Sequence, residues 1–115
     1  MKPRPLAPTF AEFYPTYMKV YAFGEKENKP STLEAKKSIF TRSLLPYFGD
    51  IPIDEIEEDL IMDYKAELKD HNLAPKTRNN CLTVLRNVFK AAIVMRKIDR
   101  MPYIDQVSIL SLIHI

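Results

Sequence analysis

One cysteine, two histidines and two glycines in 115 residues leave little material for whole classes of chemistry. Cys81 has no partner for an internal disulfide, which fits a reducing, cytoplasmic compartment, and it reads as a small packing residue. Gly24 and Gly49 alone do not make a glycine-rich phosphate loop. His71 and His114 lie far from each other and have no metal-ligand spacing with Cys81, so neither a metal nor a cofactor is expected. His71 instead reads as a helix-end residue near terminal carbonyls. No apolar run approaches the roughly 20 residues that span a bilayer, so no membrane partner is expected. The opening Met1-Lys-Pro-Arg-Pro-Leu-Ala-Pro is broken by prolines and lacks the apolar stretch of a secretory signal. One further absence is local: from Lys76 to Lys97 there is no carboxylate.

What is present suits one soluble domain, with 46% hydrophobic and 28% charged residues. The formal net charge of +2 hides a segregated distribution. Residues 1–49 carry +4, residues 50–70 carry −7, and residues 71–100 carry +6. Two basic segments therefore flank an acidic one, an arrangement that can turn a basic side toward a polyanion and an acidic side toward solvent or a protein.

The apolar spacing predicts helices and no convincing strand. Thr9 and Glu12 have the spacing of a capping box, followed by Phe10, Phe13, Tyr14, Tyr17, Met18 and Tyr21. Helical spacing makes the aromatics up to Phe23 core rather than a base-stacking platform. Pro15 predicts a kink or a later helix start. Ser31 and Glu34 open a second helix lined by Leu33, Phe40, Leu44, Tyr47 and Phe48, which Pro46 kinks or ends and Gly49 stops. Residues 50–56 form a short extended spacer whose isoleucines dock on the core. A third helix runs from about Glu57 to Asp70 on Leu60, Ile61, Tyr64 and Leu68, with acidic residues in its first turn, where the helix dipole favours them.

Pro75 starts the fourth helix. Leu82, Leu85, Phe89, Ala92 and Ile93 fall on one side of it, and Lys76, Asn80, Thr83, Asn87 and Lys90 on the other. An ordinary solvent face mixes acidic and basic residues in i,i+4 pairs. This one is free of acid, which points to a polyanion, DNA first.

Three motifs carry a resemblance: Lys29-Pro-Ser-Thr-Leu; Leu44-Leu-Pro-Tyr-Phe-Gly-Asp-Ile-Pro-Ile-Asp-Glu-Ile; and Leu73-Ala-Pro-Lys-Thr-Arg-Asn-Asn followed by Leu85-Arg-Asn-Val-Phe. In this order and spacing they resemble the core-binding domain of tyrosine recombinases of the phage-integrase type. The resemblance implies an all-α, SAM-like bundle of four to five helices over residues 9–102, after an N-terminal extension at 1–8. It also implies one half of a clamp on double-stranded DNA, the other half being the catalytic domain that this chain lacks, with assembly of several copies on DNA. Carried onto this sequence, Lys76 and Thr77 resemble phosphate contacts, and Asn80, Thr83 and Arg86 resemble groove-facing positions. Lys90 continues that side, and Lys37 and Arg42 are the counterparts on the second helix. Ala74, Lys36 and Arg78 depart from the family pattern, and Arg78, on the border of the core face, is not counted as a DNA contact.

The family's catalytic set is a tyrosine nucleophile with two arginines, a lysine and histidine or tryptophan. This chain has no His-x-x-Arg, so no catalytic residue is expected in it. Residues 103–115 read as a truncated linker or an artefactual tail, because Leu110-Ser-Leu-Ile-His-Ile resembles translated sequencing adapter. The alternative function is a helical protein-interaction or assembly module that uses the acidic third helix against a basic partner.

Overall fold

The computed structural model describes residues 7–22 and 30–104. Residues 1–6 of the expected 1–8 extension, the loop around Gly24, Phe23 and residues 105–115 of the expected 103–115 tail lie outside them. The described residues form α1 (Phe10–Ala22), α2 (Pro30–Ile39), a π-helical turn (Phe40–Leu44), α3 (Leu45–Phe48), a 3-10 turn (Ile53–Glu55), α4 (Glu58–Asp70) and α5 (Pro75–Val94). They contain no strand beyond the single bridge between Thr9 and Pro52. The all-α class read from the sequence holds.

Helix α1 starts as its capping box predicts. The Thr9 N–H donates to Glu12 Oε1 at 2.9 Å, and the Glu12 N–H donates to Thr9 Oγ1 at 3.2 Å, which satisfies two donors that a helix start leaves open. Others go to the chain after α3: Phe10 N–H to the Ile51 carbonyl and Ala11 N–H to the Gly49 carbonyl, both at 3.0 Å. The expected spacer is thus also the cap of α1. Its Ile53 and Ile56 are buried. The later start offered for Pro15 does not occur, since Phe10–Ala22 is one helix with Pro15 exposed inside it.

Pro46 neither ends nor interrupts the second helical run. Proline has no N–H for the Arg42 carbonyl, and the run widens just before it: the Leu45 N–H reaches back five residues to Phe40, a π turn. Helix then continues to Phe48. The helix ends at Gly49 as expected, and the space there suits only glycine: a Cβ would lie 2.5 Å from the Leu45 carbonyl oxygen.

Helix α5 buries Cys81, Leu82, Val84, Leu85, Val88, Phe89 and Ala92. That arc is wider than the predicted stripe, and Ile93 lies at its exposed edge. The helix packs against α2, the π turn and α4. Phe10, Phe40, Phe48 and Tyr64 form the aromatic centre, with the Phe10 and Phe48 rings 5.8 Å apart and the Phe48 and Tyr64 rings 4.9 Å apart. Helices α4 and α5 both close on left-handed residues, Asn72 at φ 58° and Arg96 at φ 61°. After α5 the Lys97 N–H bonds the Ala92 carbonyl and the Arg96 N–H bonds the Ile93 carbonyl, a Schellman closure built without glycine.

Candidate nucleic-acid interface

The side of α5 opposite its buried arc carries Lys76, Asn80 and Lys90, all exposed, with Thr83 and Asn87 half-buried between them. These residues recur every three or four positions, so they form one strip along the helix. No carboxylate lies within ion-pair distance of Lys76 or Lys90 among the described residues. The strip is therefore cationic and hydrogen-bonding along its length. At its start Pro75 occupies the first turn, and Ala74 supplies no side-chain cap, as the sequence implied.

Thr77 is exposed but faces a different way, into a cleft of about 650 Å³ between the second helical run, the end of α4 and the start of α5. Arg42 lines the same cleft from the π turn. The structure thus brings Arg42 and Thr77 together although they are far apart in sequence. The cleft floor is mainly apolar and includes Tyr64 and Cys81. Tyr64 Oη and Ser43 Oγ share a hydrogen bond of 2.6 Å, and burial pushes the Tyr64 hydroxyl well above its ordinary pKa. Tyr64 is a neutral, fixed wall at any ordinary pH. His71 ends α4 as expected, with its ring nitrogen 3.5 Å from Glu67.

Lys37 is exposed on α2, and its ammonium lies 3.9 Å from Glu34 one turn earlier. An exposed pair of this kind is worth little and is readily exchanged. Its neighbour Lys36 points inward, only 8% exposed. The Lys36 ammonium donates to Tyr17 Oη at 3.1 Å and stands 5.5 Å from that ring's centroid. Burial pulls its pKa below the usual lysine value. A signal for this was available: the inner stripe leaves a gap between Leu33 and Phe40, and position 36 falls in it.

Arg86 is half-buried rather than open to solvent, and its Nη2 donates to the Ile104 carbonyl at 2.7 Å. Sequence reasoning missed this contact, as it missed the bidentate pair in which Arg100 donates to Glu58 at 2.9–3.3 Å. Glu58 also accepts the Tyr103 N–H at 3.1 Å, and that bond, its own N–H and Arg100 hold its carboxyl below the ordinary glutamate range. Arg78 is half-buried, and its Nε is enclosed without a partner.

No group of three or more metal-ligating side chains occurs among the described residues. None of their helices is long and apolar enough to cross a membrane.

Comparison with known proteins shows the family. Residues 9–69 match the family described as phage integrase, N-terminal SAM-like domain. The chain is 30% identical over 90 residues to the ICEBs1 integrase of Bacillus subtilis (strain 168), an alignment covering 77% of this chain and 24% of that protein. The chain thus spans about a quarter of the length of this curated relative. No solved structure matches. With more than half of its length matched, the chain belongs to the phage-integrase family through its N-terminal SAM-like domain, and its all-α fold is consistent with that.

Proposed function

We propose that this chain is the DNA-binding, core-binding module of a site-specific tyrosine recombinase, which clamps recombination-site duplex while catalysis resides in another part of such a protein. The observation that carries the reading is the acid-free strip of α5, with Lys76 and Lys90 exposed along it and no carboxylate among the described residues paired to either. Phosphates take such cations by releasing counterions, so binding is salt-sensitive and largely independent of sequence. Lys76 and Lys90 contact phosphate, and Asn80 and Thr83 face the groove. Arg42 and Thr77 contact the backbone from the two walls of their cleft, and Arg86 contributes from the edge of the strip. Lys37 exchanges Glu34 for a phosphate. The partners of this reading are double-stranded DNA, the catalytic domain of the parent recombinase and further copies assembled on DNA, and its compartment is the cytoplasm.

Fluorescence anisotropy with a random-sequence duplex tests it. Binding that weakens with salt and is lost in the Lys76→Ala, Lys90→Ala double variant is expected. A folded protein that does not bind at low salt refutes it.

A second reading is supported by the acidic face of α4, where Asp59, Asp63, Glu67 and Asp70 are exposed beside the 70% exposed Met62. It is a protein-interaction module for a basic partner. Charge reversal at Asp59, Asp63 and Asp70, which stand clear of the Glu58 contacts and of the cleft, abolishes that interaction and leaves DNA affinity intact or raised.

A further inference from the structure

After α5 the chain turns back over the bundle as a strap, residues 98–104, with Ile98, Pro102 and Ile104 buried. Two side chains from different helices hold it. Glu58, in the first turn of α4, accepts from Arg100 and from the Tyr103 N–H. Arg86, in the middle of α5, donates to the carbonyl of the next residue, Ile104. The anchors at Tyr103 and Ile104 are therefore adjacent, and a strap fixed at one is fixed at the other.

Arg86 lies three residues after Thr83 and four before Lys90, so it adjoins both on the helix surface. A long arginine at such an edge samples many rotamers unless something holds it. The Ile104 carbonyl engages one end of the guanidinium, whose planar fork of five N–H donors leaves others for a second acceptor. The hold fixes the direction of a charge beside the strip without using up its donors.

We propose that Glu58 is a positioning residue for DNA binding: by anchoring the strap it sets the Ile104 carbonyl, and that carbonyl aims Arg86 at a phosphate alongside Lys90. This rests on the DNA-binding reading given above. The sign of one substitution separates it from general electrostatics. Removing a carboxylate strengthens binding to a polyanion through the overall field, whereas loss of this positioning weakens it.

The test is anisotropy titration across several salt concentrations, using the random-sequence duplex and the whole chain. The variants are Glu58→Ala, Arg86→Ala and their combination, with Asp59→Ala as a control of equal charge on the same helical turn. Glu58→Ala is expected to weaken binding about three-fold and to flatten the salt dependence, as Arg86→Ala does, by up to about one unit of slope. The double variant is then no weaker than Arg86→Ala, because the two residues act through one contact. Asp59→Ala is not weakened, and Glu58→Gln, which keeps an acceptor for the Tyr103 N–H, recovers part of the loss. Glu58→Ala binding as tightly as the parent, or a loss that adds to that of Arg86→Ala, overturns the proposal. Hydrogen exchange at the Tyr103 amide of the free protein separates the failures. Exchange unchanged in Glu58→Ala refutes the strap anchor and leaves the DNA reading standing; a parent chain that binds no duplex overturns both.

Discussion

The second helical run and α5 both carry lysines on an amphipathic background, and they place them in opposite ways. On α2, Lys36 turns into the core against Tyr17, and Lys37 turns out toward Glu34. On α5, Lys76 and Lys90 both face out, with no carboxylate anywhere on the helix. The difference lies in what each helix packs against. α2 lies beside a tyrosine whose hydroxyl and ring can receive an ammonium. On α5 the wide buried arc is already filled by seven side chains, so Lys76 and Lys90 go to solvent. Basic residues in a sequence therefore count toward a binding face only when the neighbouring helix offers them nothing.

Substitutions can break or sharpen this contrast. The largest effect removes what the two helices share: Phe40→Ala and Phe89→Ala, both at fully buried positions, are each expected to lose about 3–5 kcal/mol in denaturant titration. Equal losses would show that the helices differ in their cations and not in their core. Next, Lys90→Ala is expected to lower the slope of log affinity against log salt on DNA by about 0.9, the value for one phosphate contact. Lys37→Ala lowers it less, because Lys37 must first leave Glu34. An equal or larger effect at Lys37 would reverse the contrast.

Lys36→Met is expected to stabilise the fold by about 1 kcal/mol near neutral pH, since a buried charge is replaced by an apolar chain of similar length. The pH dependence follows from the lowered pKa of Lys36. Between that lowered value and the ordinary lysine value of 10.5, the unfolded chain binds the proton and the folded chain does not, so the parent gains stability as pH rises through this window. Below the folded pKa the gain is absent. The Lys36→Met advantage in thermal unfolding should therefore shrink toward pH 10.5. A constant advantage would mean that Lys36 is charged equally in both states. The smallest effect is at the end of α5: Arg96→Gly relieves a left-handed residue and is expected to add about 0.5–1 kcal/mol to stability, after allowing for the entropy of glycine.

Much of the candidate interface was legible. The acid-free strip of α5 is a matter of helical period, and Lys76, Asn80 and Lys90 stand exposed where that period puts them. Thr77 and Arg86, which the resemblance supplied and the period did not, stand off the strip. Thr77 follows Lys76 by one position and turns into the cleft it shares with Arg42, while Arg86 lies at the strip's edge, where Ile104 claims it. Neither outcome can be read from the helix that carries the residue.

The sequence by itself determined the all-α class, the capping box at Thr9, the stop at Gly49, the start of α5 at Pro75 and the family. Each of these depends on residues within a few positions of one another or on motif order along the chain. Only the tertiary structure decided that Lys36 goes inward, that Arg42 and Thr77 share a cleft, and that Glu58 and Arg86 hold the strap. The last of these depend on hydrogen bonds between residues 18 to 45 positions apart, and that of Lys36 on one spanning 19. Local periodicity sets which way a side chain leaves its own helix, but the donor or acceptor that meets it belongs to another element, and packing alone chooses which element that is.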